Sequence, residues 1–572
     1  MRVSVRWLGW LLILVIAVAC GPATPRAAQD GQGGAAPAGR EPPRTLSVAI
    51  RVEPSTLGVR QLRQAGVGLY LPSRAFNAQI ALLDPSANPR PYLVEDLPQL
   101  NTESWRLFPD SRMETTYRFR PNITWHDGTP LTAEDLVFSW RVYATPGLGL
   151  SGSAPFNAIE EVVATDPRTA VIRWRQPYPD TAFTAGLNVE FPPLPRHILE
   201  RALQPDQLET FANLPFWTRE YVGLGPYRLD RWEAGAFLEG VAFDGHLGGR
   251  PRIERIKLLF ISDANTALAN LLAGEVHLTD GTSIGLPEVA ILKREWIGRT
   301  GSVVLHPNQW RAAHFQNRPD LATPRTILDP RVRKALAHAV DKGPLNESLY
   351  DGDGIYADSV MPPMSIWGPA AERGAARYPF DLRRSEQLMS EAGFARGPDG
   401  YASPGEGRFS AEVKTNSAAD NEAEVSILAS GWRQTGFDMQ EAILPSAQAQ
   451  NPEARATFSA LFTYSQNLGE SALLGLSSAS IPRAENRWAG ANRDGWSNAE
   501  YDRLLQVFTT SLVRDEREQM VTQMVRVLTD EVHAISLFFR AQPWAYVNAL
   551  RGPQLVPPEA NMSWNLPEWE LR

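Results

Sequence analysis

The chain has 572 residues, 43% hydrophobic and 21% charged, with a net charge of -8. This is the composition of a globular protein with several cores. A negative balance without a basic cluster argues against nucleic acid as a partner, and a single cysteine, Cys20, excludes an intramolecular disulfide.

Arg2 and Arg6 precede an apolar run from Trp7 to Ala19. The run is shorter than the roughly 20 residues that cross a bilayer, and it fits a signal peptide over 1–19. It ends Ala17-Val18-Ala19-Cys20-Gly21. Small residues before a cysteine resemble a lipoprotein cleavage site, so Cys20 is the expected lipidation site and the membrane is reached through a lipid anchor. Residues 20–43 are rich in Gly, Ala, Pro and Gln. They cannot bury enough apolar surface to offset ordering entropy and read as a tether.

Leu46 to Ile50 opens the folded part as a strand, and Arg51 to Tyr70 reads as a loop over a functional surface. In Glu114 to Trp140, Tyr117 and Phe119 alternate with Arg118 and Arg120, the period of a half-buried strand. Asp127-Gly128 makes a turn. Thr132 and Asp135 have capping-box spacing, which predicts a helix starting at Ala133 with Leu136, Val137 and Trp140 on its apolar side. His126 and Asp127 read as a polar turn, with no nucleophile near in sequence.

Further on, Gly223 and Gly225 are expected to let the chain turn sharply into a strand, and Pro251 to Ser262 reads as a long strand. Asp263 caps a helix carrying Leu268, Leu271 and Leu272 that Gly274 stops. Asp329 caps another with Pro330 at its first position and Val332, Leu336 and Val340 on its buried stripe. Helices are expected near 422–435, 499–510 and 516–529, with a strand at Ile535 to Phe539.

Several segments carry a resemblance. They are Tyr117-x-Phe119 with Trp125-His126-Asp127-Gly128-Thr129-Pro130-Leu131-Thr132-Ala133-Glu134-Asp135, then Pro195-x-His197-Ile198-Leu199 and Gly223-x-Gly225-Pro226-Tyr227-x-Leu229. Asp329 to Asp341, Tyr378 to Asp381 with Leu388 to Phe394, and Leu550 to Pro553 complete the set. In this order they resemble the extracytoplasmic solute-binding proteins of family 5, the oligopeptide- and dipeptide-binding type of ABC importers. The sequence departs from the family at Gly274-Glu275-Val276-His277, where His277 stands in place of an acid.

The resemblance implies an α/β, two-lobed periplasmic-binding-protein-like type II fold with an extra domain (cluster C). Lobe I would be discontinuous, made of 44–79, 222–309 and 541–572. Residues 80–221 would form the extra domain and 310–540 lobe III, with the crossings near 222, 310 and 540 as the hinge. It also implies a monomer that serves an ABC permease and ATPase complex outside the cytoplasm.

Catalytic and metal signatures are absent from the sequence: no H-E-x-x-H, G-x-S-x-G or P-loop, and no histidine pair at helical ligand spacing. The expectation is therefore a binding protein, not an enzyme, without cofactor or metal. A lipid-anchored sensor on the same fold and a secreted hydrolase with two cleft carboxylates are the alternatives. The ligand cleft is expected to be lined by Arg60, Gln61, Arg63 and Gln64 on one side and by Tyr464, Gln466 and Asn467 on the other, with Trp310 near the hinge and Trp488 close by. Where peptide binders of the family carry an Asp for the peptide amino terminus, this chain has Asn467 or Leu468, and only Glu470 could substitute. Neutral amides suit an oligosaccharide as well as a peptide, so affinity is not expected to depend on a free amino terminus.

Overall fold

The computed structural model describes residues 44–60, 62, 70–152, 154–183 and 190–572. Its backbone is one eleven-stranded mixed sheet. In chain order its main strands are β1 (Thr45–Ile50), β2 (Tyr227–Glu233), β3 (Phe237–Ala242), β4 (Arg255–Phe260), β5 (Leu278–Thr279), β6 (Gly301–Phe315), β7 (Ser410–Asn416), β8 (Asp438–Leu444), β9 (Leu461–Gln466) and β10 (Ala534–Val547). Their spatial order is β8-β7-β9-β6-β10-β5-β1-β4-β3-β2, and the short strand Ile355–Tyr356 also pairs with β10.

Two blocks of this sheet are parallel. β1 lies between β4 and β5, and β7 between β8 and β9. The antiparallel pair β6 and β10 joins the blocks, in register from Gly301 opposite Val547 to His314 opposite Ala534. The ladder slips between Pro307 and Gln309 and again between Arg311 and Ala312. Pro307 has no N–H to donate, so a slip beside it costs little.

The apolar cores follow the same division. Buried members of two clusters come from 46–296 and 544–569, whereas those of the other three come from 313–538, 310–539 and 444–464. The first half also carries a four-stranded antiparallel sheet of Trp105–Leu107, Met113–Arg118, Thr169–Trp174 and Ile159–Asp166, paired in that order. No helix among the described residues is long and apolar enough to cross a membrane.

Local signals place most helices. The helix Ala133–Tyr143 starts where the cap spacing predicts, with the Asp135 carboxylate accepting the Thr132 N–H at 2.8 Å. Leu136 is buried as expected, but Phe138 and Val142 are also buried, and Val137 and Trp140 are only half-buried. Asp263 accepts the Thr266 N–H, and Gly274 closes that helix at a φ of 77°; Leu272, read as core, is exposed. Asp329 caps Pro330–His338. The strand read at Ile535 to Phe539 extends to fourteen residues because β6 pairs along all of it.

The Gly223 and Gly225 reading needs correction. Neither has a positive φ. A Cβ on Gly225 would lie 2.4 Å from the Asn77 nitrogen, and one on Gly223 would meet the Phe76 carbonyl. These glycines allow two backbones to touch. His126 reinforces the contact: its Nδ1 accepts the Gly223 N–H at 3.2 Å and its Nε2 donates to the Gly225 carbonyl at 3.0 Å. Burial lowers the His126 pKa to about 4, so the ring is neutral. The Trp-His-Asp-Gly and Gly-x-Gly-Pro-Tyr segments are thus two sides of one packing joint. His197, read as a helix-start residue, reaches the same turn and bonds Asp127 at 2.8 Å.

Candidate functional site

Groups from both halves of the molecule converge beside the β6–β10 crossing. From the first half come Arg60, Tyr178, Asp180 and Glu190. Arg60 is 4% exposed, and its guanidinium lies 5.1 Å from the centre of the Phe156 ring. Burial lowers its pKa, and the Glu190 carboxylate acts in the opposite direction. Tyr178 stacks on Trp174 at 4.7 Å. Its hydroxyl is held well above its usual pKa by burial, with Asp180 and Glu470 adding to the effect and Arg517 opposing it.

Glu470 and Arg517 belong to the second half. The Glu470 Oε1 atom accepts from Trp367 Nε1 at 2.7 Å and from Arg517 Nη2 at 3.0 Å. Both charged side chains are 11% exposed, and the Arg517 guanidinium covers the Trp367 ring at 4.9 Å. Burial pushes the Glu470 carboxyl up to about 7, with Arg517 and the Trp367 N–H pulling it down and Asp180 and Glu559 adding to the rise. Glu559, near the C-terminus, accepts from the Ser365 hydroxyl and from the Ile366 N–H at 3.4 Å. A carboxylate between 544 and 572 therefore bonds the opposite half. Such a site offers donors and acceptors of both charge signs around aromatic walls, suited to holding a polar solute.

An opening of about 570 Å³ is lined by Arg51, Gly281, Gln309, Asp420, Glu424 and Arg540. It lies on the side of the crossing where Arg311 meets Glu424 at 2.7 Å and Arg540 donates to Asn421 at 2.9 Å.

The residues expected to line the cleft are placed as follows. Gln61, Arg63, Gln64 and Cys20 lie outside the described residues. Trp310 and Tyr464 are each 1% exposed. Trp310 donates to the Ser536 hydroxyl at 3.1 Å, and Tyr464 stacks on His314 at 3.9 Å. The polar loop read at Tyr464 is the end of β9, which turns that ring inward. Gln466 is half-buried and donates to the Ala491 carbonyl at 2.9 Å, Asn467 is exposed, and Trp488 is half-buried at a φ of 59°. Arg60 and Glu470 face the convergence just described. Tyr178, Glu190, Trp367, Arg517 and Glu559 carried no local sequence signal, because each belongs to the site only through long-range contacts.

The fold is a two-lobed α/β fold of the periplasmic-binding-protein kind with an extra domain. NikZ from Campylobacter jejuni, solved with Ni(L-His), superposes with a TM-score of 0.69 over 92% of this chain and 100% of its own at 20% identity. The oligopeptide-binding protein AppA from Bacillus subtilis, solved with a nonapeptide, gives 0.65 over 93% and 100% at 19% identity. By sequence, that AppA is 22% identical over 56% of each chain. The dipeptide-binding protein of Escherichia coli is 24% identical over 53% of this chain and 56% of its own. The chain spans about half the length of the curated relatives it matches.

The profile of the bacterial extracellular solute-binding proteins, family 5, middle region, matches residues 97–470. The chain belongs to that family.

Proposed function

We propose that this chain is the extracytoplasmic solute-binding lipoprotein of an ABC importer, capturing a peptide between two lobes and handing it to a permease. The observation that carries the reading is the convergence of Arg60, Tyr178 and Glu190 with Glu470, Arg517 and Trp367 beside the paired crossing strands. Lobe I is read as 44–79, 222–309 and 541–572, the extra domain as 80–221 and lobe III as 310–540. Closure about the crossings shifts the population of a hinged protein without making a bond. The register slips at Pro307 and Arg311 support a hinge there. Acylation at Cys20, a monomeric state and delivery to a permease and ATPase complete the reading.

Two features support a peptide over a neutral sugar. Charges of both signs face the site, and AppA and the Escherichia coli relative carry peptide-binding names. Burial of Tyr464 and the low exposure of Glu470 favour the carboxylate over the Gln466–Asn467 amides as the principal contact. Among the described residues, both side-chain bonds to the Glu470 carboxylate fall on Oε1, so Oε2 is assigned to the ligand's ammonium. This departs from the expectation of amine-independent affinity drawn from the sequence.

Calorimetry with a peptide library and its N-acetylated copies tests the assignment. Acetylation is expected to weaken binding about tenfold or more, the size of one charge-assisted contact. Glu470→Gln should remove that difference. Equal affinity for both libraries, or binding of oligosaccharides alone, overturns it.

A further inference from the structure

His314, Asp494 and His533 come together from three distant parts of the chain. His314 is near the end of β6, His533 immediately precedes β10, and Asp494 lies in the segment between the helices Glu470–Gly475 and Ala499–Thr510. One donor atom from each lies within 4.8 Å of the others. His314 Nδ1 and Asp494 Oδ2 are 3.9 Å apart. The exposures are 0%, 0% and 3% in sequence order.

What sets the cluster apart is its unmet bonding. Among the described residues, both His314 nitrogens, both Asp494 carboxylate oxygens and His533 Nε2 are buried without a hydrogen-bond partner. Buried polar atoms are ordinarily paired, so several converging orphans call for an occupant. The other ring nitrogen of His533 faces the Leu528 carbonyl at 3.2 Å. A carbonyl can only accept, so Nδ1 carries the proton and Nε2 presents its bare lone pair inward. This is the tautomer of a metal-bound imidazole, oriented by a backbone carbonyl. Rings of Trp310, Tyr464 and Trp496 pack against the two imidazoles at centroid distances of 5.1, 3.9 and 5.4 Å and exclude bulk water. The neighbouring Arg318 is engaged elsewhere, by Gln316 and the carbonyls of Ala456, Pro482 and Arg493. Arg333 donates to Asn317 and Leu328.

We infer that His314, Asp494 and His533 form a buried site for a divalent transition-metal ion of the zinc type. Two imidazoles and a carboxylate are a donor set such ions accept, with a fourth position for water. Bond lengths of about 2.0–2.2 Å place tetrahedral donors about 3.3–3.6 Å apart, so a donor pair at the 4.8 Å limit needs to close by about 1.2–1.5 Å, shared between two side chains. The ion would fasten the end of β6 and the start of β10 to the 476–498 segment, a structural role separate from the solute cleft. The inference does not depend on the solute-binding reading.

The test uses the full chain, unfolded with chelator and refolded with zinc, with cobalt, or with neither, then dialysed. Expected are about one zinc per chain by plasma mass spectrometry, visible d–d absorption with cobalt, and a melting temperature at least about 2 °C above the metal-free protein. Asp494→Asn and His533→Gln should lose the bound metal and the shift. If either variant does not fold, the wild-type comparison with and without zinc decides. Fewer than about 0.1 zinc per chain with no shift overturns the inference and assigns the cluster to buried water. Undiminished zinc in folded Asp494→Asn also overturns it, because the metal would then be held elsewhere.

Discussion

Arg311 and His314 are three residues apart on β6 and point to opposite faces of the sheet, and their surroundings could hardly differ more. Arg311 donates to both oxygens of Glu424, at 2.7 to 3.0 Å, and to the hydroxyls of Thr415 and Thr463. Among the described residues, His314 and its neighbours Asp494 and His533 leave several buried polar atoms without partners. Both clusters are shut away from solvent, so burial alone does not separate them. The first is a closed account of charge and hydrogen bonds. The second is open, and each unmet group costs about 1–3 kcal/mol. A closed buried network fixes one packing of its neighbours; an open one either stores that cost or receives something.

The largest effect is expected on the closed side. Glu424→Ala leaves the Arg311 guanidinium buried without its partner and should cost about 3–5 kcal/mol in guanidinium unfolding. The double variant Arg311→Met, Glu424→Leu removes both charges and should recover most of that loss. If the single and double variants are equally unstable, the pair is not what the site requires.

On the open side, Asp494→Asn in metal-free protein should change stability by no more than about 1 kcal/mol, because neither carboxylate oxygen loses a bond. A loss as large as that from Glu424→Ala would show that Asp494 is already satisfied and would collapse the contrast.

An effect confined to acid pH concerns a closed histidine. His126 is neutral in the fold with its pKa lowered to about 4, against about 6.5 when unfolded. The unfolded chain therefore binds more protons between these values, so stability falls as pH drops from about 6.5 toward 4. His246 and His306, also lowered to about 4 by burial, act in the same direction. His126→Gln should make the melting temperature less steep across that window. An unchanged slope would mean that burial does not hold the ring neutral.

How much of this could be read from the sequence depends on the range of the interaction. The helix Ala499–Thr510 and the cap at Thr132 were legible because a turn of helix is decided by residues within four positions. The motif order gave the fold. Trp310 and Tyr464 were harder, because the face a strand residue takes depends on which strand pairs with it and in which register. Trp310 pairs with Gln466 and Phe539, partners 156 and 229 positions away. Gly223 and Gly225 suggested a turn; only the position of Phe76 reveals that a backbone contact requires them. The convergence of Tyr178, Glu470, Arg517 and Glu559 had no sequence signal, and neither did the His314 cluster, whose residues share no helical spacing.

The unbroken order of strands from β8 to β2 also bears on how the molecule comes apart. Each half supplies one flank of the ladder to the central pair, β9 against β6 and β5 against β10. If either half melts, the survivor gains an open strand edge, with unpaired N–H and C=O groups facing water and ready to recruit another chain. Partial unfolding is thus penalised and prone to aggregation, and heating should carry both halves through one transition even though their apolar cores are separate.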